Sequence, residues 1–81
     1  MKHIWDGARL AEVIAHSGLT KKEVADKAEI SPSNITRWIN NTRQPSVSAL
    51  WALAKSIGVG CEMLLQPVGS PIKFEVRPKR K

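Results

Sequence analysis

The chain of 81 residues contains one cysteine, two histidines and no apolar run of membrane-spanning length. A single thiol excludes an internal disulfide, and Cys61 with the distant His3 and His16 offers no metal-ligand spacing. No chemical role is expected for these three side chains, with Cys61 acting as a small buried apolar group. A transmembrane helix needs about 20 consecutive apolar residues, which no segment approaches. The first residues lack the apolar core of a secretion signal, so a cytoplasmic setting without membrane contact is expected. No nucleophile–base pair, paired acids or phosphate loop stands out, so neither catalysis nor a cofactor is expected. No internal repeat is evident.

Acidic residues are also scarce, seven against thirteen Lys and Arg, for a net charge of +6 and a pI near 10. That balance favours a polyanionic partner. The excess is uneven. From Pro67 onward five basic residues face one acid, a net of +4, whereas residues 1–66 hold eight against six, a net of +2. Affinity of the body for a polyanion must therefore come from the placement of a few cations. A chain this short forms one domain with a small core. Residues 1–66 are expected to be a helical domain, and 67–81 a linker, a strand and a basic tail.

What is present is a succession of helix start and stop signals. Asp6 can cap a first helix running to about Ser17, with Trp5 and Leu10 as a hydrophobic staple and Gly18 as the stop. Thr20 and Glu23 form a capping box for a second helix over about Lys21 to Ala28. Ser31 is expected to cap a third helix, about Pro32 to Asn40, with proline at the first position where no amide is needed. Asn40-Asn41 ends it, since asparagine tolerates left-handed backbone. Ser46 caps a fourth helix with Val47, Leu50, Leu53, Ala54 and Ile57 inward, and Gly58 stops it. A short fifth helix, about Cys61 to Leu65, closes the core with Leu64 and Leu65, and Pro67 ends the helical region. The fold class is all-α.

The stretch from Thr20 to Arg43, TKKEVADKAEISPSNITRWINNTR, carries the functional signal. Ile35, Trp38 and Ile39 recur at helical spacing and face inward, Trp38 as core. Ser33, Asn34, Thr36, Arg37 and Asn40 are left near or on the outer side. A helix that is polar outside and held across a smaller helix fits the DNA major groove. The stretch resembles the helix-turn-helix of lambda-repressor-like regulators, also called the Xre or Cro/C1 type. Ala25 matches the small residue where the two helices cross, and Ile35 and Trp38 match the positions that lock them together. Arg43-Gln44-Pro45-Ser46 resembles the loop and cap that open the fourth helix. The resemblance covers roughly residues 7 to 66 and implies a five-helix DNA-binding domain. The chain departs from the family pattern at two places. Glu29 stands where the turn usually has glycine, and Lys21 where the second helix often begins with glutamine.

Base reading is expected from Ser33, Asn34, Thr36 and Arg37. Arginine is the commonest partner of guanine O6 and N7, and the matching family position often touches bases. Asn34 either pairs with adenine or lies to the side, and Thr36 meets a thymine methyl or a phosphate. Lys21, Ser31, Asn40, Thr42 and Arg43 are expected at phosphates, which fix register without reading sequence.

The tail reads differently. Ile72-Lys73-Phe74-Glu75-Val76-Arg77 alternates apolar and charged residues, the pattern of a strand. Such a strand would pair with its copy in a second subunit, placing Ile72, Phe74 and Val76 in a dimer interface. Trp51 lies off the main stripe of its helix, either against this tail or at the same interface. The expected protein is thus a nucleoid-associated transcriptional regulator of a prokaryote or phage. Its action would be repressive, as a homodimer on a pseudo-palindromic operator of double-stranded DNA. An antitoxin that represses its operon while holding a toxin protein is the alternative, since some antitoxins add a terminal strand to this fold. An adaptor binding only protein is the further rival.

Overall fold

A computed structural model describes residues 5–75. Five helices follow one another there, α1 (Gly7–Ser17), α2 (Lys21–Ala28), α3 (Pro32–Ile39), α4 (Val47–Ile57) and α5 (Cys61–Leu64). Local chemistry sets most of these bounds. Asp6 accepts a hydrogen bond from the Ala8 amide at 3.0 Å and opens α1. Gly18 (φ 83°) and Gly58 (φ 95°) close α1 and α4 in the left-handed conformation. The capping box of α2 is complete, with the Glu23 amide donating to Thr20 Oγ1 at 3.0 Å and the Thr20 amide to Glu23 Oε1 at 2.8 Å. Ser46 Oγ accepts from the Ala49 amide at 3.2 Å to start α4.

The turn from α2 into α3 passes through Glu29, whose backbone is left-handed at φ 58°, ψ 46°. Its conformation lets the Ile30 amide reach back to the Ala25 carbonyl at 2.9 Å. A side chain costs about 1 kcal/mol there relative to glycine. Glu29→Gly is therefore expected to raise stability by up to about 1 kcal/mol, part of the gain being offset by the entropy of the unfolded chain. Denaturant melts check this, and a lower midpoint for the variant would reject it.

Leu10, Val13, Val24, Ala25, Ile35, Leu53, Ile57 and Leu64 are fully enclosed, and Trp38 joins them at 7% exposure. α1 packs on α3 and α5, α2 on α3 and α4, and α4 on α5. This arrangement holds α3 from two sides. At its far end, Asn41 takes up φ 63° and its Oδ1 accepts the Gly7 amide at 2.8 Å. The Trp5 indole donates to the Trp38 carbonyl at 2.8 Å. The start of α1 is thereby fastened to the exit of α3.

Four expectations need correction. Ser31 has the extended backbone of a cap, but its hydroxyl bonds Ser33 Oγ at 2.8 Å and makes no capping hydrogen bond. Val47 is not inward. It is the first residue of α4, and that turn precedes the packed stripe, which leaves Val47 81% exposed. Leu65 is only half-buried, because α5 ends at Leu64 and Leu65 is its C-cap. Nor is there a strand among the described residues of the tail. Residues 69–75 lie along their own chain, with the Glu75 amide donating to the Gly58 carbonyl at 2.8 Å. Ile72 and Phe74 are half-buried against the helical core. Their shared face meets helices of the same molecule, which satisfies the alternating pattern without a second subunit. Val76 lies outside the described residues.

Arg9 secures this tail. It is fully buried, its Nε donating to the Met63 carbonyl at 2.8 Å and its Nη1 to the Ser70 carbonyl and Glu12 Oε1, each at 2.9 Å. Glu12 in turn accepts the Gly69 amide at 3.1 Å. The Gly69 amide, and after it the Arg9 guanidinium, hold the Glu12 carboxyl below its ordinary pKa.

Candidate nucleic-acid interface

α3 separates its residues by face. Ile35 is fully buried and Trp38 nearly so, which turns Ser33, Thr36 and Arg37 to solvent. Asn34 stands at the edge, half-buried. The exposed side chains are partly ordered by one another. Thr36 Oγ1 donates to the Pro32 carbonyl at 3.2 Å, and Arg37 Nη1 donates to Asn34 Oδ1 at 3.2 Å. The Asn34–Arg37 contact escaped the sequence reading, although a spacing of three on a helix signals it.

The loop after α3 folds over the helix end. The Thr42 and Arg43 amides both approach the Arg37 carbonyl, at 3.0 and 3.4 Å. This positions Thr42 and Arg43 beside α3 with exposed side chains, and Ser31, Asn40 and Lys21 are exposed as well. Lys21 opens α2, where free amides add positive potential. Between Ser31 and Ser46 the only charged residues are Arg37 and Arg43, so this segment itself carries no carboxylate. It offers hydroxyl, carboxamide and guanidinium groups on a firmly packed helix. That set can hydrogen-bond base edges and phosphates.

The residues assigned to a dimer contact are scattered. Trp51 is 63% exposed and shares a side of α4 with Val47. Trp51 also borders an open groove of about 430 Å³, lined further by Ala54, Lys55, Val59, Cys61, Glu62 and Glu75. Ile72 and Phe74 border a different hollow, beside Glu12 and His16. The Cys61 thiol is half-buried, and burial first, then the carboxylates of Glu62 and Glu75, raise its pKa above the ordinary value. Among the described residues no cluster of three or more His, Cys, Asp or Glu is placed to hold a metal. Nor is any described helix long and apolar enough to cross a membrane.

Comparison with known proteins bears on the family and the fold. The helix-turn-helix family model matches residues 10–64. No curated protein sequence matches significantly. Among solved structures, the restriction-modification controller protein C.AhdI from Aeromonas hydrophila is similar at 22% identity and TM-score 0.69, over 72% of this chain and 88% of that one. The clp gene regulator ClgR from C. glutamicum is similar at 24% identity and TM-score 0.68, over 73% of this chain and 77% of its own. SinR, a master regulator for biofilm formation solved in complex with DNA, aligns at 24% identity and TM-score 0.69, over 74% of this chain and 97% of its own.

Proposed function

The chain belongs to the Cro/C1-type helix-turn-helix family, and from that premise we propose that it is a sequence-specific DNA-binding regulator of transcription. The observation that carries the proposal is α3, with Ile35 and Trp38 locked into the core and Ser33, Thr36 and Arg37 presented outward. In this reading α3 enters the major groove and Arg37 reads guanine through O6 and N7. Ser33, Asn34 and Thr36 line the same groove, while Lys21, Ser31, Asn40, Thr42 and Arg43 hold phosphates. The fold shared with a regulator solved on DNA supports this.

Selecting bound sequences from a random DNA pool provides the site needed for a test. Arg37→Ala is then expected to weaken binding to the selected sequence by about 1–3 kcal/mol and to relax preference at one base pair. An equal loss on selected and random DNA would reduce Arg37 to a phosphate contact.

Repression by a homodimer on a pseudo-palindromic site completes the proposal, because one recognition helix reads only a few base pairs. Two copies must set their recognition helices about 34 Å apart, one helical turn of DNA. The exposed Trp51, with Val47 one turn before it, is the apolar surface that fits such a contact. Trp51→Lys is expected to shift the sedimentation profile toward monomer while leaving the melting temperature of a dilute sample unchanged. Undiminished dimer content would remove α4 from the interface. The antitoxin alternative drew on a terminal strand over residues 72–77, of which residues 72–75 are described and form no strand within the single chain.

A further inference from the structure

We infer that Asn34 serves recognition as a positioning residue for Arg37 and does not itself read a base. The inference rests on Arg37 reading a base, and it assigns Asn34 a different task from its neighbours on α3. Asn34 lies three residues before Arg37, and its Oδ1 accepts a hydrogen bond from Arg37 Nη1 at 3.2 Å. The asparagine is half-buried at the margin of the exposed face, whereas Ser33, Thr36 and Arg37 stand fully outward. Reading adenine requires asparagine to accept from N6 and donate to N7 with both carboxamide atoms directed at one base. An Asn34 set to the side, with its oxygen turned to a neighbour on the same helix, is poorly placed for that.

It is well placed to restrain the arginine. A free arginine side chain has large rotamer freedom, which binding must remove. The contact to Asn34 uses one of the five guanidinium donors and leaves the rest of the planar fork for guanine O6 and N7. Part of the ordering is then complete before DNA arrives, and fewer arginine rotamers remain to reach a different base. Asn34 thus contributes to specificity at a base pair that it does not touch.

The experiment is a double-mutant cycle over wild type, Asn34→Ala, Arg37→Ala and the double variant. Binding to the selected sequence, to each of its single-base changes and to random DNA is measured at fixed salt. Asn34→Ala is expected to lower affinity for the selected sequence about 3- to 10-fold, and to lower discrimination at the base pair that Arg37→Ala relaxes. In the Arg37→Ala background it should have no further effect. Asn34→Asp keeps the acceptor and loses the donor that adenine needs. Its added charge weakens binding to all DNA, but the discrimination ratio at the Arg37 base pair should persist. Additive losses, relaxed preference at another base pair, or no change with Asn34→Ala would overturn the inference while leaving Arg37 as a reader. If Arg37→Ala costs equally on selected and random DNA, the reading on which this rests fails, and the positioning role fails with it. Thermal melts of the Asn34 variants verify that the fold is intact.

Discussion

Replacing Gly7 by alanine is expected to lower the melting temperature by roughly 12–24 °C, the equivalent of about 3 kcal/mol or more in a domain of this size. Propensity alone predicts the opposite sign, since alanine is better than glycine in a helix by about 1 kcal/mol. The clash decides. A Cβ on Gly7 would sit inside the van der Waals radii of the Ile39 and Trp38 carbonyl oxygens. Both are backbone atoms at the end of α3, so relief requires moving one helix away from the other. That movement would also break the Gly7–Asn41 and Trp5–Trp38 hydrogen bonds. Gly60→Ala is the control, because the atoms nearest a Cβ there belong to the flexible carboxylate end of Glu62. Thermal melts of the two variants separate the cases, and a Gly7→Ala protein melting at or above wild type would refute the close packing of α1 on α3.

Removal of Arg9 should cost about 2–4 kcal/mol, because its side chain is fully enclosed and satisfies carbonyls that would otherwise lose their donor. Arg9→Ala strips partners from the Met63 and Ser70 carbonyls and from the Glu12 carboxylate, and it opens a cavity. Part of the tail then loses its hold on α1. Acid provides a second measurement of the same clasp. The Glu12 pKa is lowered in the folded protein by the Gly69 amide and Arg9, so the stability Glu12 adds is complete above the unfolded carboxyl pKa. It is lost as pH falls from there through the depressed folded value. Glu12→Gln should therefore melt lower than wild type at neutral pH, with the gap narrowing as acid is added. Two melting curves that fall in parallel with pH would show that Glu12 does not hold the tail.

Much of the fold was legible because its signals are local. Asp6, Thr20 with Glu23, and Ser46 cap helices through atoms two or three residues away, and such pairs appear in sequence as spacings. The burial of Ile35 and Trp38 followed from helical periodicity. What escaped depends on distant partners. Arg9 bonds residues 54 and 61 positions further along, and a charged residue near a helix start reads as solvated until those partners are known. The one hint was its spacing of four and eight from Val13 and Ser17, both buried. Val47 misled because its place in the apolar stripe ignored the turn in which it falls. The alternating tail misled because period two reports a buried face, and a helical surface can bury that face as well as a sheet can. On the candidate site, the outward residues of α3 were visible in the pattern, but the Asn34–Arg37 contact depends on rotamers that spacing does not specify.

The fastening of α1 to the end of α3 has a consequence for motion. The Gly7 amide proton and the Trp5 indole proton are both engaged by groups at the C-terminal end of α3. They can exchange with solvent only when that junction opens. Their exchange rates therefore track excursions of α3 from the body, even though neither proton belongs to it. Since such openings occur in contiguous cooperative units, the first turn of α1 and the last turn of α3 should loosen as one. Any partner that immobilises the outer face of α3 would slow exchange at these protons, so occupancy of that face can be sensed from the opposite side of the helix.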